Sequence, residues 1–378
     1  MSLFIFIALI CYASINTYLI LRGWQMLEAL GSYRYVYLAV ALFGATAFFV
    51  GLVLKRTIDS PYTDALWAVG SWWLVVFLYA LVAALSFDLL RLALWAFGKK
   101  LSALVVGWPA LKVALFAVFA AGLAVIAGVG YYNGTRAKVR TLDIAVQKYS
   151  PGAGELTIVA VSDMHLGAVY GRRHVQRWVA QINECRPDVV LLLGDTFDDN
   201  PAPVIRTDAC AGLSQLRAPL GVYAIVGNHE LMGDPAAAIR YLAQYGVRPL
   251  TDTAVLVDNR FYLVGRMDRS AKDRKGIAEL LAPLDDSLPV VVLDHQPCEW
   301  EAVAAAGADL CLSGHTHHGQ LWPFSLATQR MYEKDWGYLQ KDRTHFYVSC
   351  GVGAWAAPAR IGSRSEIVRL RLTFLNEL

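Results

Sequence analysis

Charge is scarce in this chain. Asp, Glu, Lys and Arg make up 17% of its 378 residues, against 56% hydrophobic residues, an apolar excess that an ordinary soluble domain does not need. The scarcity is local. Residues 1–132 hold eight basic and four acidic side chains and no histidine, whereas residues 133–378 hold 26 basic and 27 acidic ones. The second part has the charge density of a globular domain and the length to bury its own core. A strong excess of either sign is also lacking. The net charge of +3 argues against a nucleic-acid-binding surface, so no nucleic-acid partner is expected. Paired cysteines are missing as well: Cys11, Cys185, Cys210, Cys298, Cys311 and Cys350 are scattered without a C-x-x-C pair. This excludes a readable disulfide framework or zinc ribbon. It leaves the redox compartment open, because buried thiols occur on both sides of a membrane.

What the first part does have is uncharged length. Residues 1–21, 35–54, 65–87 and 113–132 each lack charge over about the 20 residues that cross roughly 30 Å of hydrocarbon. Residues 1–132 therefore read as a transmembrane domain of four helices, 133–154 as a linker with a first strand, and 155–378 as the polar domain. The first stretch does not read as a cleaved signal peptide, since it lacks a basic leading region and a small-x-small site near Leu21. Residues 92–109, broken by Lys99, Lys100 and Pro109, read as an interfacial or re-entrant connection. Trp24, Tyr33, Tyr35, Trp67, Trp108, Tyr131 and Tyr132 near the span ends fit interfacial anchoring, with helix packing the alternative. Basic residues nearly tie between the two sides. Arg22 follows the first helix with no basic residue before it, and Asp59 and Asp64 offset Lys55 and Arg56. This favours an outside N-terminus, and four spans then place the polar domain outside the cytoplasm, on a bacterial cytoplasmic membrane. Charges such as Asp88 and Lys112 lie at or beside the span edges, which builds no ion pathway and disfavours a transport role.

The polar domain alternates short apolar runs with helical spacing. Strands are expected at 141–148, 155–162, 188–194, 221–227, 290–295 and 308–314, with helices at 172–185, 203–217, 235–245, 274–282 and 299–306. Such alternation predicts sheets covered by helices, with ligands at the carboxyl ends of strands. The unusual residues gather there: Asp163 and His165 in SDMHLG, Asp195 in LLLGDTFDD, Asn228 and His229 in VGNHE, His295 in LDHQP, and His315 and His317 in SGHTHHGQ. In an extended segment i and i+2 point the same way, so Asp163 with His165 and His315 with His317 are expected to grip one object each. Carboxylate, imidazole and amide oxygen suit a divalent ion such as manganese, iron or zinc, and the lack of thiolates argues against structural zinc. Seven donors exceed what one ion with an open position needs, so two ions are implied. Alone, each motif reads as a capped turn or helix cap. Their ordered co-occurrence does not, because five uncompensated imidazoles at buried strand ends would cost stability. His174 and His345 fall outside the set and read as surface or packing.

These motifs resemble those of the calcineurin-like metallophosphoesterases, whose pattern D-x-H, G-D, G-N-H-[ED], H and G-H-x-H occurs here in that order. The resemblance covers residues 155–372. It is strongest to a membrane-attached subgroup in which Gly-Gln follows the last motif, and the tail VSCGVGAWAAPARIGSRSEIVRLRL is similar to that subgroup's closing strand, glycine turn, Pro-x-Arg and final strand. His318 departs from it, standing where that subgroup has glycine. The resemblance implies an α+β fold, a four-layer β-sandwich flanked by helices. It also implies that Asp163, His165 and His317 bind one metal and Asn228, His295 and His315 the other, with Asp195 bridging. Two divalent ions, manganese foremost with iron or zinc as alternatives, would then lower the pKa of a water shared between them. His229 would donate a proton to the leaving group. Asp198, Asp199 and Glu230 read as solvent-facing turn residues, with orientation of ligands the lesser reading. Arg360, Arg364 and His318 are candidates to meet substrate, and LWPF at 321–324 reads either as a lip for acyl chains or bilayer or as core.

Four spans make most sense if the substrate lies in the membrane plane. The expected function is hydrolysis of a phosphoester or pyrophosphate bond in a lipid head group or lipid-linked precursor. The rival is a membrane receptor or scaffold whose phosphoesterase-like domain binds without turning over. The presence of both Asn228 and His229 speaks against that rival, since a binder has no need of a proton donor.

Overall fold

The computed structural model describes residues 3–55, 57–96, 108–152 and 154–375, and the chain forms two compact units, Met1–Val129 and Gly130–Leu378. The first is built on α1 (Leu3–Met26), α2 (Arg34–Leu54), α3 (Pro61–Ala96) and the larger part of α4 (Pro109–Thr135). Among the described residues, four helices are long and apolar enough to cross a membrane. Large apolar side chains such as Val36, Val40, Phe43, Val50 and Val53 project outward from α2, an arrangement that lipid tolerates and water does not. Small residues allow α2 and α3 to touch closely: a Cβ on Gly70 would lie 2.3 Å from the Phe48 backbone. Asp88 accepts hydrogen bonds from the Tyr18 hydroxyl, at 2.6 Å, and from Arg22. That charge at the span edge thus ties α3 to α1. Of the stretch read as an interfacial connection, residues 92–96 continue α3 and Pro109 opens α4, while 97–107 lie outside the described residues.

The second unit contains β1 (Lys138–Tyr149), β2 (Glu155–Val161), β3 (Val189–Leu192), β4 (Val222–Ala224), β5 (Val247–Pro249) and β6 (Thr253–Val257). They are followed by β7 (Phe261–Gly265), β8 (Val290–Leu293), β9 (Leu310–Ser313), β10 (Gly337–Lys341), β11 (Thr344–Val348) and β12 (Glu366–Leu375). One sheet has the order β1-β12-β2-β3-β4-β5 and the other β10-β11-β9-β8-β7-β6. Both are mixed. β2 to β5 run parallel in the first, and β7, β8, β9 and β11 run parallel in the second.

Two-sided burial follows from the residues. Alternate positions of the central strands, such as Ile158, Leu191, Leu263, Val291, Leu310 and Leu370, fill a core between the sheets. On the outer face of the first sheet, Val159, Val190 and Leu192 pack against Val175, Trp178, Val179 and Ile182 of α5 (Arg172–Glu184). On the outer face of the second, Val264, Val292 and Cys311 pack against Ile277, Trp300 and Val303. The result is the helix–sheet–sheet–helix stack of an α+β fold. Trp178, fully buried in this layer, sets an expected result: Trp178→Ala lowers stability by about 3–5 kcal/mol, read as a fall in the denaturant midpoint with the slope unchanged. The helix expected over 203–217 is two pieces, Ala202–Arg206 and a 3-10 turn at Ala209–Gln215, because Asp208 between them is left-handed at φ 50°.

Candidate metal centre

The parallel strands β2, β3 and β4 of one sheet and β8 and β9 of the other bring their carboxyl ends together, and the turns that follow carry the donors. The local geometry is not the extended one expected from residue spacing. Asp163, His165, Asp195, His315 and His317 all have positive φ, between 46° and 72°. Asn228 and His295, after β4 and β8, have no positive φ, whereas these five side chains converge because β2, β3 and β9 end in left-handed turns. That conformation costs a non-glycine residue free energy and persists only where the surroundings enforce it. Glycines make room for these turns. A Cβ at Gly227 would lie 2.2 Å from Asp195 Oδ1, and one at Gly314 would lie 1.7 Å from Ser162 Oγ and 2.5 Å from Asp163 Oδ2. Gly314→Ala is therefore expected to displace Asp163 and to lower bound metal, measured by elemental analysis, in a protein that still folds.

Two sets of donors meet at one carboxylate. His165 Nε2 is 3.0 Å from His317 Nε2, and His317 Nε2 is 3.5 Å from Asp163 Oδ1. On the other side, Asn228 Oδ1 lies 2.8 Å from His315 Nδ1 and 3.2 Å from His295 Nε2. Asp195 Oδ2 is 3.0 Å from His295 Nε2 and 4.0 Å from His165 Nε2, so it stands between them. Asp163, His165, Asp195 and His295 are almost wholly inaccessible to solvent. His295 Nδ1 donates to the Leu193 carbonyl at 2.8 Å, which turns Nε2 toward the cluster.

The electrostatics of these residues suit metal binding. Burial holds the His165 and His317 imidazoles well below their usual pKa, leaving neutral rings with lone pairs to offer. Burial also pushes the Asp163 carboxyl up to about 6. Burial acts against charge on Asp195 and His295 as well, yet the pair lowers the aspartate and raises the histidine, and a cation at Asp195 would take the place of the His295 proton. His165 Nδ1 is buried without a hydrogen-bond partner, and two imidazole nitrogens face one another. Such atoms are costly unless something positive satisfies them. The chemistry of the donor set, nitrogen and oxygen without sulfur, matches a divalent ion of manganese, iron or zinc type.

His229 sits at the edge of this cluster. Its ring is 4.7 Å from that of His165 and 6.4 Å from that of Trp355, and its Nδ1 is 2.6 Å from Asp199 Oδ1. Burial would lower its pKa, but the Asp199 hydrogen bond and the nearby Asp195 and Asp198 carboxylates outweigh this and raise it to about 9. The ring is thus held protonated. The His229 backbone N–H donates to Asp195 Oδ1 at 2.9 Å, so the histidine and the Asp195 carboxylate are positioned together.

Several expectations are corrected. Glu230 is not a solvent-facing turn residue: it is buried, and its carboxylate accepts from the backbone N–H groups of Asp195, Phe197 and Gly227 at 2.7–3.0 Å. It holds the two turns that carry Asp195 and Asn228. Glu230→Ala leaves three buried donors unmet at about 1–3 kcal/mol each, and a correspondingly lower unfolding midpoint is expected. Asp198 is likewise buried, and Asp199 is spent on His229. Arg360 is not free to meet substrate. It is fully buried, and its guanidinium donates to the carbonyls of Gly353, His317 and Cys350, because a closing loop rich in glycine leaves carbonyls that need donors. Arg364 donates to the Arg136 carbonyl at 3.1 Å and lies over the Tyr132 ring. His318 is 2.8 Å from Asp335 and packs on Trp336, so it braces the segment after the metal motif. His174 packs on Tyr170, and His345 bonds Tyr338 at 2.8 Å, both outside the cluster.

A buried ion-pair cluster adjoins the centre. Asp294, next to His295, is buried in contact with Arg266 at 2.8 Å and Arg274 at 2.6 Å. The adjacency of an acid to a strand-end histidine was its only trace, and the arginines come from a different segment.

Comparison with known proteins agrees with this geometry. Residues 156–319 match the calcineurin-like phosphoesterase family. The chain is 34% identical to a transmembrane protein with metallophosphoesterase domain of Bos taurus, over 66% of this chain and 60% of that protein. It is 31% identical to an uncharacterized metallophosphoesterase of Aquifex aeolicus, over 62% of this chain and 94% of the other. It is 24% identical to one of Campylobacter jejuni over 98% of both. The chain belongs to the calcineurin-like metallophosphoesterases, a family of phosphoester hydrolases that use divalent metals, and its four long apolar helices make it a membrane member of that family. It spans 60% of the length of the Bos taurus relative.

Proposed function

We propose that this protein is a binuclear, metal-dependent phosphoesterase embedded in the membrane, which hydrolyses a phosphoester or pyrophosphate bond in a lipid head group or lipid-linked precursor. The observation that carries the reading is the Asp195 carboxylate standing between the donor set of Asp163, His165 and His317 and that of Asn228, His295 and His315. A shared carboxylate offsets the repulsion of two cations about 3.5–4 Å apart. When bound, two divalent ions, manganese foremost, supply a nucleophilic water near neutral pH and neutralise charge on the phosphoryl oxygens. The chain's own residues do the rest. Asp199 orients the His229 imidazolium, which gives its proton to the departing oxygen. Glu230 and Gly227 keep that histidine and Asp195 in register.

The lipid part of the reading is architectural. Four apolar helices hold the site at a membrane, where tethering raises the effective concentration of a substrate confined to the same plane. The charge distribution around the spans favours the extracytoplasmic side of a bacterial cytoplasmic membrane for the polar domain. The test is elemental analysis of the purified full chain together with turnover of bis(p-nitrophenyl) phosphate and of a lipid phosphoester in vesicles. About two metal ions per chain and turnover of both substrates are expected. Turnover of soluble esters alone would remove the lipid assignment, and labelling of a cysteine placed in the polar domain of intact cells decides its side.

A further inference from the structure

The second unit shows a concentration of apolar side chains beside its metal centre. Trp322, Phe324, Leu326 and Met331, on the segment that follows His317 and His318, are 47–72% exposed, and Trp355 across from them is 40% exposed. Neither core packing nor a hydrogen-bonding role accounts for Phe324, Leu326 and Met331, whose exposure would cost solubility in an isolated domain. The ledge borders the centre on two sides. The Trp355 ring lies 6.4 Å from His229, and the ring of Tyr332, which follows Met331, lies 6.2 Å from His315.

The same unit contains the end of α4, and the ledge is attached to it. Trp322 N–H donates to the Ile361 carbonyl at 2.8 Å, and Arg360 N–H donates to the Gly130 carbonyl at 2.9 Å. Ile361 packs so tightly on Gly130 that a Cβ there would lie 3.2 Å away. Gly130 stands within the last two turns of a 27-residue apolar helix, about seven residues more than a bilayer core requires. A span of about 20 residues from Pro109 would leave Gly130–Thr135, the part of α4 in this unit, for the headgroup layer, and the ledge is joined to that part. Just beyond, Arg136 and Lys138 follow the helix end, Arg364 bonds the Arg136 carbonyl, and Arg330 lies in the last turn of the ledge's helix Ser325–Met331, cations suited to anionic head groups. Tryptophan at the rim of such a patch is the side chain that favours a lipid–water boundary.

We infer that this ledge, residues 321–331 with Trp355, inserts into the headgroup layer of the membrane that α4 spans and presents the metal centre to the lipid plane. The inference rests on the membrane part of the proposed function and not on its hydrolytic part. Its occupant is the bilayer, and a protein partner covering the ledge is an outcome of the test.

The experiment uses the full chain in nanodiscs of phosphatidylethanolamine and phosphatidylglycerol, with the accessible thiols removed by Cys11→Ser and Cys298→Ser. A nitroxide is placed at Phe324→Cys or Leu326→Cys, and at Leu256→Cys on β6, the strand at the opposite edge of the sheet from β10, as the aqueous reference. Collision with oxygen is expected to exceed collision with a water-soluble nickel chelate at 324 and 326, and the ratio is expected to fall below one at 256. A ratio below one at both ledge positions, or exclusion of both reagents as under a protein partner, overturns the inference. The same labelled protein is assayed on bis(p-nitrophenyl) phosphate with manganese. Turnover with a water-exposed label refutes membrane docking alone, whereas a lipid-exposed label without turnover upholds docking and refutes the hydrolytic reading.

Discussion

Asp195→Ala is expected to abolish stoichiometric metal binding and to reduce turnover of a chromogenic phosphodiester on the order of 10³-fold. The size follows from what the carboxylate does. Two cations contribute several kcal/mol of transition-state stabilisation, and each 1.36 kcal/mol is a factor of ten in rate. Asp195 is the group within reach of both donor sets, so neither set retains its full charge balance without it. Asp195→Asn separates electrostatics from shape. An amide oxygen still accepts the His229 N–H now held by Oδ1, so the fold around the turn is kept while the negative charge is lost. Metal content should fall in both variants, with thermal unfolding less affected in the amide. Wild-type metal content and rate in Asp195→Ala would discard the assignment of the centre.

His229→Ala should behave differently. A positioned acid contributes about 10²–10⁴-fold, so kcat is expected to drop by that amount while bound metal stays at the wild-type level. Asp199→Asn should produce a smaller loss, about tenfold, since it loosens the imidazole at 2.6 Å without removing it. The distinction matters because His229 lies close enough to His165 and Asp195 to act as a ligand. Loss of metal in His229→Ala would place it among the ligands and require another proton donor.

The donors were legible because each follows a short apolar run, and burial of a strand end with an acid or imidazole on it has few purposes. The helix Arg172–Glu184 was legible from the spacing of Val175, Trp178, Val179 and Ile182. Other parts left little trace. β5 is three residues long, and β6 and β10 are edge strands with mixed exposure, so neither alternation nor a continuous apolar run marks them. Arg360 carried the signature of a phosphate ligand, an arginine in a glycine-rich loop. Only the folded loop shows that its donors are consumed by backbone carbonyls. Glu230 read as a turn residue because the three N–H groups it serves belong to two segments about 30 residues apart.

Local sequence by itself determined the division into an apolar and a polar part, the run of uncharged spans and the inventory of metal-type donors, since hydropathy and side-chain chemistry are properties of residues. Tertiary structure alone decided which donors share an edge, that Asp195 lies between both sets, and that left-handed turns rather than strand pleating aim five of the seven. Convergence of that kind depends on two sheets meeting at their strand ends, and on glycines where a Cβ would collide with a carboxylate. Separation along the chain carries no record of such distances.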